Sequence, residues 1–136
     1  MTDAAAHHDR YQYLRRLYDA YPASLPAFRD WEIVVFFYSA LHLVQAYFCT
    51  KDLRFQAARH DQRWTAIKQS PELSKSRPFV QAYKMLQDVS EQVRYEPGFS
   101  VSSGHLQLAT ANLETVERML RAKVNRALAA HHPAGR

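Results

Sequence analysis

Between Glu32 and Lys51 the chain carries no formal charge, and the run "WEIVVFFYSALHLVQAYFCT" from Trp31 to Thr50 is apolar almost all round. A helix of that length without a polar face has two destinations, the centre of a helical bundle or the interior of a bilayer. Ser39, His42 and Gln45 interrupt the run at helical spacing, which is costly in lipid. Amphipathic segments on either side need such a rod to pack against, so the expectation is a buried central helix and no membrane span.

Those segments follow from periodicity. Tyr11, Leu14, Leu17, Tyr18 and Tyr21 recur at threes and fours and predict a helix over about Asp9 to Tyr21, with a frayed tail over residues 1–8. Pro22 and Pro26 bracket the connection to the central helix. After a polar, arginine-rich stretch through Arg63, "WTAIKQSPEL" reads as a short helix stopped before Pro71. Ser70 with Pro71, and Ser76 with Pro78, resemble a capping residue followed by an early-turn proline, which predicts a helix from about Pro78 to Tyr95 ended by Pro97 and Gly98. Leu106, Ala109, Leu113, Val116, Leu120, Val124 and Ala127 predict a last helix from near Ser103 to about Ala130, with residues 131–136 frayed. At 136 residues with only three glycines the chain has room for one domain. The expected class is all-α, a compact bundle of four to five helices, up-down, with one short extra helix.

Chemistry narrows less readily. One cysteine, Cys49, excludes an internal disulfide and a cysteine-based zinc site, and fits a reducing cytoplasm. The opening "MTDAAAHHDRYQYLRR" is polar throughout, so secretion is not expected. A phosphate-cradling glycine loop and an HExxH helix are absent, and no cofactor or metal is implied; the pairs His7 with His8 and His131 with His132 read as tails. The net charge of +5, carried mostly by arginine, favours a polyanionic ligand through general attraction, though acids interrupt every basic stretch.

Three groups of side chains are candidates for a site. On the central helix Tyr38, Ser39, His42, Gln45 and Cys49 share about a third of the circumference, a polar stripe that something must satisfy. The plain reading makes His42 a neutral core histidine bonded to another helix. On the late helix Tyr83, Gln87, Ser90 and Arg94 follow at fours and threes and are placed to confront that stripe, with Glu32 or Glu91 as the expected ion-pair partner of Arg94. His60 and Arg63 share a face if their stretch is helical, and an imidazole beside a guanidinium suits phosphodiester chemistry; as an exposed loop pair they are ordinary surface.

Three pieces, "DWEIVVFFYSALHLVQAYF" at 30–48, "RHDQR" at 59–63 and "YKMLQDVSEQVRY" at 83–95, together resemble a bacterial branch of the HEPN superfamily, with its "FY.ALH", "H..R" and "Y..L...S..RY" signatures in the same order. The resemblance covers about half the chain. It implies a compact helical bundle that is often a homodimer, in a superfamily of ribonucleases, toxins, antiphage components and non-catalytic partners of nucleotidyltransferases. Catalytic members carry arginine and histidine four to six residues apart and cleave RNA without metal. Arg54 with His60, and Arg126 with His131 or His132, meet that spacing, but in a chain this rich in both residues chance supplies as many matches.

The leading expectation is therefore a HEPN-like protein that acts by binding RNA, a nucleotide or a protein partner encoded nearby, as a homodimer. One alternative is a metal-independent ribonuclease using His60 and Arg63, with His42 and Arg94 as weaker candidates. Another is an accessory subunit of a nucleotidyltransferase pair. Arg54, Arg59, Tyr83, Ser90 and Tyr95 complete the candidates for nucleic-acid contact or for the polar seam.

Overall fold

A computed structural model describes residues 4–20, 29–52, 55 and 59–131. In chain order the elements are α1 (Ala4–Ala20), α2 (Arg29–Lys51), α3 (His60–Gln69), α4 (Pro71–Ser74), α5 (Arg77–Tyr95) and α6 (Ser103–His131). No strand occurs among the described residues, and the chain is an all-α bundle.

Helix α2 is its axis and packs against α1, α5 and α6. It is long and apolar enough to cross a bilayer, yet 78% of its most apolar window is buried inside the protein, so that apolar surface is already covered by neighbouring helices. Ile33, Phe36, Phe37, Leu43 and Val44 form the centre of the core. From α5 come Phe79, Ala82, Tyr83 and Leu86, and from α6 Ala109, Leu113, Val116, Leu120 and Val124, the stripe anticipated from spacing. Leu106 packs half-buried at the edge.

The boundaries have local causes. Ser70 Oγ accepts from the Leu73 amide at 3.2 Å with Pro71 opening α4, and Ser76 Oγ accepts from the Phe79 amide at 3.4 Å with Pro78 in the first turn of α5. At α6 the capping is reciprocal: the His105 amide donates to Ser102 Oγ at 3.1 Å while the Ser102 amide donates to His105 Nδ1 at 2.9 Å. The imidazole takes the place that glutamate or glutamine usually fills in a capping box.

Two boundaries differ from expectation. Helix α1 starts at Ala4 rather than near Asp9, because three successive alanines propagate a helix at little cost and Ala4 is itself buried. The short helix expected from Trp64 and stopped before Pro71 does stop there, at Gln69, but as α3 it begins earlier, at His60, and α4 follows the break at Ser70. The amide of Arg59 donates to Gln62 Oε1 at 3.1 Å and starts α3 upstream of Trp64. Tyr11 and Leu14 of the predicted α1 face are buried; the side chains of Leu17, Tyr18 and Tyr21 lie outside the described residues, as do residues 132–136.

Candidate functional site

The first turn of α3 brings His60 and Arg63 onto one face, and Arg63 Nη2 lies 2.9 Å from His60 Nδ1. These are not exposed loop residues: Arg63 is 5% exposed and His60 half-buried, its ring edge-on to Phe37 of α2 at 5.2 Å. A guanidinium has only donors, so Nδ1 of His60 must be the acceptor, and a neutral imidazole then carries its hydrogen on Nε2. Burial first, then the charges of Arg63 and Arg94, hold the His60 pKa below its ordinary value, with Glu91 and Asp61 opposing. At neutral pH His60 is thus an uncharged donor through Nε2.

Arg94, in the last turn of α5, reaches back to α2. Its Nη1 donates to the Tyr38 hydroxyl at 2.9 Å and its Nε to the Ser90 carbonyl at 3.2 Å. The guanidinium lies over two aromatic rings, 5.5 Å from the centre of Tyr38 and 5.1 Å from that of Tyr95, which is 71% exposed. The expected ion pair with Glu32 or Glu91 does not form. Glu91 instead receives Gln87 Nε2 at 3.5 Å, and Glu32 is buried with its carboxyl pKa raised by desolvation, Arg29 opposing. Among the described residues Arg94 has no carboxylate partner, and its buried Nη2 has no hydrogen-bond partner.

Between these arginines lies the seam foreseen from spacing. Tyr83, Gln87 and Ser90 are buried, and Gln87 Oε1 and Ser90 Oγ lack partners among the described residues. Burial pushes the Tyr83 hydroxyl up to about 12, against the pull of the nearby Arg63 guanidinium. On the stripe of α2, Ser39 donates to the Val35 carbonyl at 2.8 Å and Cys49 is buried. Gln45 is buried, with Oε1 unpartnered among the described residues. His42 is bonded to another helix, as the plain reading requires, but the partner is a histidine: Nδ1 of His7 lies 3.0 Å from Nδ1 of His42, with the rings stacked at 5.2 Å. Burial above all, then the charges of His7, Arg10 and Arg63, pushes the His42 pKa down to about 4.

The remaining candidates divide. Arg59 is exposed and turned to Asp61, with two bonds of 3.0 Å, so it stands outside the seam. Arg54 and His132 lie outside the described residues, as does the side chain of His131, and Arg126 is exposed on α6. No group of three metal-binding side chains occurs among the described residues.

Sequence reasoning missed two features. His7 was assigned to a tail, although the run Ala4–Ala6 before it was the signal that the helix starts early. The second is a cleft of about 260 Å³ between α1 and α2, lined by Arg10, Leu14, Trp31, Val34, Val35, Tyr38 and His42. Its α2 residues fall at helical spacing, but a rod apolar all round hides which of its faces is left uncovered.

What the arrangement offers chemically is donors beside acceptors that lack partners among the described residues, Gln87 Oε1 and Ser90 Oγ among them. His60 Nε2 and the hydrogen of the Tyr38 hydroxyl are donors that a ligand can use, Arg94 Nη2 is buried beside them, and the charges of Glu91 and Asp61 reach His60. Compared with protein-family models, with curated proteins and with solved structures, the chain matches none.

Proposed function

We propose that this chain is an RNA-binding protein that holds a backbone phosphate at the mouth of the seam between α2, α3 and α5. The observation that carries the reading is Arg94: a guanidinium oriented by two aromatic rings, bonded to Tyr38 and the Ser90 carbonyl, and lacking a carboxylate among the described residues. A half-buried cation in that state is stabilised by an anionic oxygen, and arginine matches phosphate geometry. Exposed Tyr95 beside it supplies a face on which a base can stack. The positive net charge and the HEPN-like pattern of residues in α2, α3 and α5 point the same way.

A ribonuclease reading is favoured by one observation, a neutral histidine flanked by two guanidiniums. Against it stands the tautomer. With Arg63 donating to Nδ1, the other ring nitrogen of His60 bears hydrogen and has no lone pair with which to take a proton from a ribose hydroxyl. Binding without cleavage is the better fit.

The test is incubation of a labelled RNA pool with the protein in excess chelator, reading both retardation and strand length, for the native chain and for folded His60→Ala and Arg94→Met variants. Retarded, intact RNA with retardation weakened in both variants is expected. Cleavage that disappears in His60→Ala would replace binding with metal-independent hydrolysis.

A further inference from the structure

The cleft between α1 and α2 adjoins the seam through one residue. Tyr38 forms part of its wall, and the hydroxyl of the same ring accepts from Arg94 at 2.9 Å. Its volume of about 260 Å³ lies just under the range of small-molecule sites, about 300–1,000 Å³, the scale of a single base and not of a whole nucleotide. Leu14, Val34 and Val35 make it apolar, while Arg10 and His42 supply polar groups, and Trp31, 44% exposed, adds an indole to the lining. Flat aromatic surfaces over an apolar floor with a few polar groups are what an unstacked nucleobase needs.

We infer that this cleft takes a guanine base splayed out of single-stranded RNA, stacked on Trp31 or Tyr38, while the adjoining phosphate sits at Arg94. The inference rests on the reading of the seam as a phosphate site and adds which nucleotide it selects. Guanine follows from Arg10. A guanidinium presents donors alone, and guanine offers the paired acceptors O6 and N7, whereas adenine sets an amino donor beside N7. Of the described side chains lining the cleft only Arg10 carries a formal charge, its guanidinium lying over the Tyr13 ring at 4.9 Å, and no carboxylate is among them.

The experiment is calorimetric titration of the full chain with guanosine 5′-monophosphate, adenosine 5′-monophosphate and ribose 5-phosphate. Stacking is worth on the order of tenfold or more in affinity per base, so guanosine monophosphate is expected to bind at least ~10-fold tighter than ribose 5-phosphate, and tighter than adenosine monophosphate. Trp31→Ala, a change at an exposed side chain, should collapse the ratio of guanosine monophosphate to ribose phosphate, and Arg10→Gln should erase the preference for guanine over adenine. Equal affinities for guanosine monophosphate and ribose phosphate would overturn the base cleft while leaving the phosphate site standing. Binding of neither would overturn the seam reading and the cleft with it. A ratio unchanged in Trp31→Ala would place the base elsewhere and also overturn the inference.

Discussion

His42, facing α1, and Arg94, in the seam, are both half-buried, yet they answer different questions. The His42 imidazole is held down to about 4, whereas in an unfolded chain it takes its proton near 6.5. Between those values the unfolded state binds a proton that the folded state refuses. The contribution to stability is therefore complete above about 6.5 and is lost progressively as pH falls toward 4. His8 and His60 are shifted the same way and add to the acid sensitivity. Replacing His42 by glutamine should reduce the stability lost between pH 7 and pH 5 by about 1 kcal/mol, allowing for solvent screening of a group that is only partly enclosed. Urea titrations at the two pH values check this; an unchanged difference would mean that His42 titrates normally in the folded chain. Arg94 behaves oppositely. Its buried Nη2 is already unpartnered among the described residues, so Arg94→Met should change stability by less than about 1 kcal/mol while weakening RNA binding by about tenfold or more, the worth of a charge-assisted hydrogen bond. A variant that unfolds and loses binding together would make Arg94 a structural residue.

At the scale of helices, α1 is held to the bundle by more than apolar contact. The Tyr11 hydroxyl donates to Glu117 of α6 at 2.5 Å, and Arg15 pairs with the same carboxylate at 2.8 Å. Glu117 is buried, and Tyr11 is pushed well above the usual phenol range by burial and by that bond. Glu117→Ala should cost about 3 kcal/mol, because it removes a buried charged group that accepts from the buried Tyr11 hydroxyl and pairs with Arg15. Glu117→Gln should cost less, since the amide oxygen can still accept. A second tie joins Tyr47 of α2 and Lys123 of α6 through Glu72 of α4. In the core, Leu120→Ala should cost about 2–5 kcal/mol, the usual range for a fully buried leucine. Thermal or chemical denaturation reads all three variants.

The helices themselves were legible because their causes are local. Spacing at threes and fours marked the buried faces of α5 and α6, and serine followed by proline marked the starts of α4 and α5. The polar seam was legible too, since Tyr83, Gln87, Ser90 and Arg94 share a face whatever surrounds them. What the residues could not reveal depends on contacts between segments distant in sequence. His7 meets His42 across 35 positions, and Arg94 meets Tyr38 across 56. The choice of a phenol rather than Glu32 or Glu91 as the partner of Arg94 is decided by how α5 crosses α2, and Glu32 is enclosed in the core instead. The cleft at Trp31 was hidden for the same reason: α2 is apolar on every side, so only the packing of α1 decides which of its residues stay open.

For the molecule as a whole, a basic chain whose acids are interspersed draws polyanions weakly from every direction, and specificity must come from one oriented site. On the proposed reading helix α2 supplies that site, carrying core residues and polar ones on a single rod: Phe37 touches both His60 and Tyr83, so the packing that stabilises the bundle also fixes the seam. Binding driven by phosphate contacts must weaken with salt, and each contact contributes about 0.7 to the slope of log affinity against log salt for a single strand. The most direct measurement is the affinity of a labelled single-stranded RNA over a series of salt concentrations, for the native chain and for Arg94→Met of verified folding. A phosphate held at Arg94 requires the variant to bind about tenfold more weakly with a slope shallower by about 0.7. Equal affinity and an equal slope in the two proteins, or no RNA binding by the native chain at low salt, would contradict a phosphate site at the seam.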